Sequence, residues 1–408
     1  MNHPDQVNRN RENPDADFAL PSGGWAETLA SLRDQGLERR LRRVSQPGGI
    51  LHEEGRRILN LSSNDYLGFA RRAELIAAAK QALDAFGSGS GASRLVTGNL
   101  PLHEELEATL ARHKGYPAAL VFGSGYMTNA GVISSICTRD WTVLADRLIH
   151  ASLIDAVALA GARLKRFQHN DPEDLSRLLA KESHPERVMV VVESVYSMDG
   201  DLAPLADLAR VCSDRGVMLM VDEAHATGVF GPEGSGLVAE AGLQTRVALA
   251  MSTFSKALGS YGGAVACPEL LRTWMIHKAR AFIYTTALPP PVIASTLAAL
   301  RVLEQEPGLG ARLLATARAF RDRLNQAGVD TLDSDSQIIP VLIGDNHRAL
   351  AVDRRLAAEG ILATALRPPT VPPGKARLRL SITLDHTPED LDRVYHALLG
   401  ALTAEGLR

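Results

Sequence analysis

The sequence has few cysteines, little net charge and no long apolar run, and each of these absences excludes a class of protein. Its 408 residues include three cysteines, Cys137, Cys212 and Cys267, which are far apart in the chain. This number and spacing argue against a disulfide framework and against a CxxC zinc site. The 44 basic and 47 acidic residues leave a net charge of −3, which gives no electrostatic support for binding a nucleic acid.

Segments that would direct the chain to a membrane or to secretion are also missing. No stretch approaches the roughly 20 apolar residues that a membrane-spanning helix needs. Residues 1–22 are rich in Asn, Asp, Arg and Pro and lack the apolar core of a signal peptide. We therefore expect a mobile N-terminal arm at 1–22, and a protein that acts in the cytoplasm without membrane contact.

The usual nucleotide and metal motifs are incomplete. The glycine-rich segments 87–91 and 122–126 match neither GxGxxG nor a P-loop, which disfavours a nicotinamide-dependent dehydrogenase. His103-Glu-Glu-Leu-Glu107 is not HExxH, and we expect it to lie on an exposed helix face. The other histidines lack ligand spacing, so we predict no metal.

What the sequence does have is a series of short apolar runs separated by helical patterns. Runs that are apolar at every position are typical of parallel strands buried on both faces. They predict an α/β fold with a doubly wound, mostly parallel sheet, in which ligands bind beyond the carboxyl ends of the strands. The clearest runs are 118–122, 188–192, 217–221 and 247–251.

The length of the chain predicts two domains, because a single core rarely serves more than roughly 250–300 residues. Pro289-Pro-Pro291 marks the break between them. The last helix of the second domain should begin at Thr387, a residue type that caps helices. The predicted parts are the arm 1–22, a helix and connection at 23–58, a large α/β domain at 59–288 and a smaller α+β domain at 289–408.

Two of the apolar runs lead to side chains that together indicate a cofactor. The run 217–221 is followed by Asp222, and the run 247–251 is followed by Lys256. The length of chain between them suits a crossover to a neighbouring strand. Such a pair is typical of a pyridoxal 5'-phosphate site, where the lysine holds the aldehyde as a Schiff base and the aspartate keeps the pyridine nitrogen protonated. A simple ion pair at the sheet edge is the alternative.

Three further segments favour the cofactor over the ion pair. The glycine-rich turn 122–126 precedes a helical pattern, and backbone amides at a helix N-terminus can receive a phosphate. His150 follows a short apolar stretch, where its flat ring could stack on a cofactor. Segment 193–200 follows a buried strand and offers hydroxyl and carboxylate groups at the same end of the sheet.

With these residues the chain resembles the α-oxoamine synthases, a family of fold-type I pyridoxal-phosphate enzymes, from about Leu37 to the last helix. The resemblance implies a homodimer with active sites at the subunit interface, where Thr285 and Thr286 would reach the phosphate of the partner. The segments that carry it are Ser62–Gly68, Gly89–Arg94, Ser197–Gly200, Val221–Gly228 and Thr253–Lys256.

The resemblance also implies a role for each residue that matches a family motif. Lys256 would bind the cofactor, be displaced by the substrate amine and then remove the α-proton. His150 would stack on the cofactor ring and contact the substrate, and Asp222 would pair with the pyridine nitrogen. The other cofactor contacts would be Gly125, Tyr126, Ser197, His225 and Thr253. The other substrate contacts would be Arg39, Asn64, Arg367 and Thr370, with Arg367 binding the amino-acid carboxylate.

Segments 95–98, 169–171, 367–372 and 376–380 are most similar to the family member that joins L-alanine to a pimeloyl thioester in biotin synthesis. The acyl group would be carried by coenzyme A or by an acyl carrier protein. Ser255 departs from this pattern, because many relatives that use alanine have glycine before the lysine, and serine is also seen there in sphingoid-forming relatives. The alternatives are glycine C-acetyltransferase, 5-aminolevulinate synthase, serine palmitoyltransferase and a non-catalytic ligand sensor on the same fold.

Overall fold

The computed structural model describes residues 23–39, 41–53 and 55–408. The predicted arm at 1–22 lies outside these residues. Contacts divide the chain into two units, one up to Arg43 and one from Val44 onwards. The first unit contains helix α1, which begins at Trp25 as its apolar spacing predicts and ends at Asp34. The apolar spacing of Trp25, Leu29, Leu32, Leu37 and Leu41 predicts a single helix, but Leu37 and Leu41 lie beyond the end of α1.

The helices and strands of the described residues are numbered in chain order. The helices are α1 (Trp25–Asp34), α2 (Ala73–Phe86), α3 (Pro101–Lys114), α4 (Gly125–Ile136), α5 (Ala151–Ala160), α6 (Pro172–Leu179), α7 (Leu205–Asp214), α8 (Leu237–Glu240), α9 (Glu269–Lys278), α10 (Arg280–Ile283), α11 (Pro290–Gln305), α12 (Leu309–Gln326), α13 (Asn346–Ala358) and α14 (Pro388–Ala404). The strands are β1 (Ile50–Glu53), β2 (Arg56–Asn60), β3 (Ala118–Phe122), β4 (Thr142–Asp146), β5 (Arg163–Phe167), β6 (Val188–Glu193), β7 (Met218–Asp222), β8 (Leu249–Thr253), β9 (Gly263–Cys267), β10 (Ile338–Gly344), β11 (Ile361–Leu362), β12 (Thr364–Leu366) and β13 (Ala376–Ser381).

The second unit is built around a seven-stranded sheet with the order β3-β9-β8-β7-β6-β4-β5. Its strands are parallel except for β9, which runs antiparallel to both of its neighbours. The four apolar runs predicted as strands are β3, β6, β7 and β8, and nearly all of their residues are buried. The predicted α/β fold with a mostly parallel sheet is therefore confirmed.

The C-terminal part forms a smaller antiparallel sheet in the order β10-β13-β12. The apolar stretch 361–366 is short enough to predict one strand from the sequence. In the structure it is divided between two sheets, because β11 pairs with β2 while β12 pairs with β13. The predicted cap of the last helix is present, since the Thr387 side chain accepts a hydrogen bond from the Asp390 amide. One hydrophobic cluster extends from Leu59 to Leu402, and the boundary at 288/289 stays a prediction.

The prediction that His103-Glu-Glu-Leu-Glu107 lies on an exposed face is wrong for three of its five members. His103, Leu106 and Glu107 lie on the buried face of α3. The Glu107 carboxylate pairs with Arg94 at 2.8 Å and accepts the backbone N–H of Val121 at 3.0 Å. These partners compensate the burial of the charge. Because Arg94 belongs to the segment Gly89–Arg94, the ion pair also anchors that segment to the sheet.

No helix in the described part of the chain is both long enough and apolar enough to cross a lipid bilayer. The histidine, cysteine and acidic side chains of the described residues form no group of three or more that suits a metal ion. The three cysteines are buried as free thiols.

Candidate active site

The carboxyl ends of β6 and β7 bring two carboxylates side by side. Glu193 and Asp222 are the last residues of these strands and are partners in the ladder. Both are buried. The Asp222 carboxylate accepts hydrogen bonds from the Asn129 side chain and from the Ala224 backbone, each at 2.9 Å. Asp222 is therefore held rigidly by two donors, as a partner for a protonated ring nitrogen must be.

Glu193 is the second buried carboxyl group of this pair. Its Oε1 is buried and has no hydrogen-bond partner. Burial, followed by repulsion from Asp222, raises the pKa of Glu193 well above its usual range. The raised pKa favours the neutral form of Glu193 beside Asp222, as is typical of one member of a pair of acids in a confined space.

Lys256 lies in the connection between β8 and β9 and is half-buried. This connection is a compact turn in which the Gly259 amide donates to the Lys256 carbonyl at 2.9 Å. Burial lowers the pKa of the Lys256 amine to about 8, although attraction to Asp222 and Glu193 opposes the change. An amine with this pKa is partly unprotonated near neutral pH, which is the form that attacks a carbonyl carbon.

His150 caps α5 from the neighbouring strand end. Its Nδ1 accepts the backbone N–H of Ser152 at 3.2 Å. Desolvation lowers the pKa of His150, while Asp222 and Lys256 act on it in opposite directions. His150 is exposed to solvent, and its lowered pKa favours the neutral ring at pH 7. His150, Asp222 and Lys256 are thus brought together as the sequence predicts.

A second cluster surrounds a buried arginine that the sequence reasoning missed. Arg379 on β13 donates to the Ser197 carbonyl at 2.7 Å, to Asn64 Oδ1 at 3.2 Å and to the Tyr66 hydroxyl at 3.2 Å. The same hydroxyl lies 2.8 Å from His225 Nδ1. All these acceptors are neutral, so none of them balances the charge of the guanidinium. Burial, then the positive charges of Lys256 and Arg379, lowers the pKa of His225 well below its usual value.

Two other predicted substrate residues lie in one loop of the second unit. Arg367 and Thr370 lie in the loop after β12, where Arg367 is half-buried and Thr370 is exposed. The Thr370 amide donates to the Arg367 carbonyl at 3.0 Å. Arg39 belongs to the first unit. Their contacts with substrate stay predictions, and so does the assignment of the carboxylate to Arg367.

The turn before α4 forms a cradle that suits a phosphate group. The Ser124 side chain accepts the Met127 amide at 3.2 Å, and the helix itself provides no acceptor for the amides of Gly125 and Tyr126. A Cβ added to Gly125 would lie 2.3 Å from the Thr253 methyl group, so only glycine fits there. The amine, the fixed carboxylate and this cradle together fit pyridoxal phosphate.

His169 fixes the loop that carries Ser197. Its Nδ1 lies 2.9 Å from Asp146 Oδ1, and its Nε2 lies 2.7 Å from Asp201 Oδ2. Burial alone would lower the pKa of His169, but the hydrogen bonds and charges of the two aspartates outweigh it and raise the pKa to about 9. At pH 7 the ring is therefore a cation that joins the end of β4 to the loop after Ser197.

We expect the stability from this bridge to be lost as the pH rises through about 9. The contribution is complete below the pKa of an unfolded histidine, about 6.5, and is absent above the raised pKa in the folded protein. The difference between the two pKa values limits it to about 3 kcal/mol. Urea unfolding at pH 6 and pH 10 measures it.

The matched variants are His169→Gln and, on the exposed face of α9, His277→Gln. The first should remove most of the stability difference between pH 6 and pH 10, and the second should leave it unchanged. If His169→Gln lost as much stability as the wild type over this range, the bridge would contribute nothing.

Comparison with known proteins places the chain in a family. Residues 56–398 match the family model "Aminotransferase class I and II". The chain belongs to this family. It is 44% identical over 376 residues to 8-amino-7-oxononanoate synthase from Geobacter sulfurreducens, covering 91% of this chain and 96% of the relative. It is also 44% identical over 375 residues to the enzyme of that name from Anaeromyxobacter dehalogenans, covering 92% and 94%.

Solved structures show the same fold. A serine palmitoyltransferase from Sphingomonas wittichii has a TM-score of 0.88 and 32% identity, and the match covers 97% of this chain and 100% of that chain. An 8-amino-7-oxononanoate synthase from Francisella tularensis has a TM-score of 0.75 and 27% identity, covering 86% and 99%. The resemblance to the α-oxoamine synthases is confirmed, and with it the prediction of a pyridoxal-phosphate-dependent acyltransferase.

Proposed function

We propose that the chain condenses L-alanine with a pimeloyl thioester to give 8-amino-7-oxononanoate, carbon dioxide and a free thiol. The observation that carries this proposal is the convergence of a low-pKa amine at Lys256, a fixed carboxylate at Asp222 and an uncompensated guanidinium at Arg379. An amino-acid substrate would use all three groups. Its amine would displace Lys256 from the cofactor, its carboxylate would bind a cation, and Asp222 would keep the cofactor ring positively charged.

Arg379 is a second candidate, besides Arg367, for binding the amino-acid carboxylate. It is buried, its position is fixed by Ser197 and Asn64, and its charge acts directly on the Lys256 amine. Its N–H groups already donate to neutral acceptors on Ser197, Asn64, Tyr66 and Ser381. A carboxylate would bind it by replacing one of these neutral acceptors with a charged one, which gives a stronger hydrogen bond. Arg367 in the half-buried loop would then form an outer contact, for which the carboxylate of the pimeloyl chain is a suitable partner.

The residues around Lys256 would divide the remaining tasks between them. Pyridoxal phosphate, when bound, withdraws electrons from the substrate Cα and makes its proton acidic. Lys256, whose amine is partly neutral near pH 8, would remove that proton and later return one. His150 would cover the reacting face, and the amides of Gly125 and Tyr126 would hold the phosphate. Arg39, Asn64 and Thr370 would contact the substrates.

The surface beside the phosphate cradle supports a homodimer that completes the site. Leu95, Val96 and Tyr284 are large apolar side chains with more than half of their surface exposed. Their two segments are tied together by the Ala287 amide, which donates to the Ala92 carbonyl at 3.0 Å. Covering this apolar surface with a second copy would place Thr285 and Thr286 at the interface. Light scattering of the purified protein tests the dimer.

Product identification tests the reaction. The enzyme is supplied with pimeloyl-CoA, or with pimeloyl acyl carrier protein, together with L-alanine, glycine or L-serine, and the products are identified by mass spectrometry. We expect 8-amino-7-oxononanoate from L-alanine with at least one of the two acyl donors. Turnover confined to glycine or to L-serine would overturn the proposal.

A sphingoid-forming activity is the second candidate, since serine palmitoyltransferases are 32–34% identical to the chain and superpose on it with TM-scores of 0.82 to 0.89. Ser255 before the lysine agrees with it. L-serine with palmitoyl-CoA is therefore included in the same assay. The higher identity of 42–47% to relatives named 8-amino-7-oxononanoate synthase favours L-alanine.

A further inference from the structure

Two buried residues connect the carboxylate of Asp222 to the ring of His150. Asn129 on α4 and Ser152 on α5 are each only 1% exposed. The Asn129 side-chain nitrogen lies 2.9 Å from Asp222 Oδ2 and 2.9 Å from Ser152 Oγ. Ser152 Oγ lies 2.8 Å from His150 Nδ1. The four side chains therefore form one continuous hydrogen-bonded row.

The protons in this row can be assigned from the two ends. An amide nitrogen only donates, and the neighbouring carboxylate fixes which end of the Asn129 amide faces it, because the amide oxygen would be repelled there. Ser152 Oγ therefore accepts from Asn129, and its own proton is directed to His150 Nδ1. The Ser152 backbone N–H points to the same nitrogen at 3.2 Å. Two donors facing Nδ1 require a lone pair on it.

We propose that Asn129 and Ser152 are positioning residues that hold His150 neutral, with its proton on Nε2, and couple the orientation of its ring to Asp222. His150 then acts as a hydrogen-bond donor through Nε2 and is not a general base. The acceptor of the Nε2 proton depends on the proposed function, in which His150 covers the reacting face of the cofactor. The tautomer itself depends only on the residues of this chain.

The charges around the row agree with a neutral ring. The groups that act on His150 are Asp222, Asp155 and Lys256. The Asp222 carboxylate, which would favour an imidazolium, already accepts from Asn129 and from Ala224. A proton on Nδ1 would face the hydroxyl and backbone N–H donors of Ser152 and would be repelled by them. The row therefore separates the charge of Asp222 from the imidazole.

Selective 15N labelling of the histidine rings in the apoprotein tests the tautomer without the cofactor. The spectrum of His150→Gln identifies the signals of His150. In the wild type we expect one unprotonated ring nitrogen, Nδ1, and one protonated nitrogen, Nε2, at pH 7. A wild-type spectrum with a protonated Nδ1 would overturn the proposal, and this measurement needs no variant of the row to fold.

Ser152→Ala removes one of the two donors to Nδ1. We expect the tautomers of His150 to mix, and its proton affinity to rise about threefold to tenfold, because one hydrogen bond to the neutral form is lost. Ser135→Ala is the matched control, since Ser135 is also buried but its hydroxyl donates to the Val132 carbonyl within α4. An unchanged His150 signal in Ser152→Ala would contradict the role of Ser152.

The loaded enzyme separates the two members of the row. Ser152→Ala should lower kcat about tenfold and leave cofactor affinity unchanged, because Asn129 still holds Asp222. Asn129→Ala should weaken cofactor binding as well. Equal losses of cofactor affinity in both variants would contradict the proposal that Asn129, and not Ser152, holds Asp222. If no substrate pair is turned over at all, the proposed function fails while the tautomer measurement still decides this inference.

Discussion

Replacing Lys256 with alanine should reduce turnover of L-alanine and pimeloyl thioester by roughly 10⁴-fold or more. The variant loses the amine that binds the cofactor covalently, and it loses the base that moves the α-proton. No other lysine is assigned to the site by the sequence or by the contacts described above. Initial rates measured by mass spectrometry, together with the visible absorption of the bound cofactor, test this expectation.

Lys80→Ala is the matched control, because Lys80 is an exposed lysine on α2. It should retain the activity and the absorption of the wild type. Should Lys256→Ala consume substrate at an undiminished rate, the assignment of the whole site would be wrong.

The second large effect is expected from Arg379→Ala. Truncating one partner of a buried charged pair costs about 2–5 kcal/mol, which corresponds to a fall of roughly 30-fold to several-thousand-fold in kcat/KM for L-alanine. Most of the loss should appear as a higher KM for the amino acid, because the guanidinium binds its carboxylate. Steady-state kinetics with varied L-alanine at saturating thioester provide the measurement.

Arg367→Ala distinguishes the structural assignment from the one that the family resemblance implies. If Arg379 binds the amino-acid carboxylate, Arg367→Ala should lower kcat/KM for L-alanine by about tenfold or less, as for a partly exposed pair. A larger loss in Arg367→Ala than in Arg379→Ala would restore the original assignment. Arg379→Lys keeps the charge without the planar fork, and should give an intermediate loss. Urea unfolding of each variant separates binding from stability.

The sheet could be predicted because its physical signal is local. Runs such as 118–122 and 188–192 are apolar at every position, which only a strand buried on both faces requires. The runs 217–221 and 247–251 are followed within a few residues by Asp222 and Lys256. Asp222 and Lys256 were therefore found from the sequence without knowledge of the sheet order.

The partners of these residues could not be predicted, because they come from distant parts of the chain. Asn129 resembles any polar residue of a helix until α4 packs beside the end of β7. Arg379 was treated as part of a motif, although the alternation of Arg and Leu in Arg377-Leu-Arg-Leu380 indicated two arginines on one face of a strand. His103 was predicted to be exposed because its burial depends on a loop far along the chain.

That alternation places a narrow constraint on β13. Leu378 and Leu380 belong to the large hydrophobic cluster, while Arg377 pairs with Asp199 and Arg379 donates to Ser197. Inserting a single residue after Ala376 would reverse the two faces of the strand. Arg377 and Arg379 would then point into the hydrophobic cluster, and Leu378 and Leu380 would point towards the active site. Lengthening the preceding loop would be harmless by comparison, so tolerance to insertions should change abruptly at the first residue of this strand.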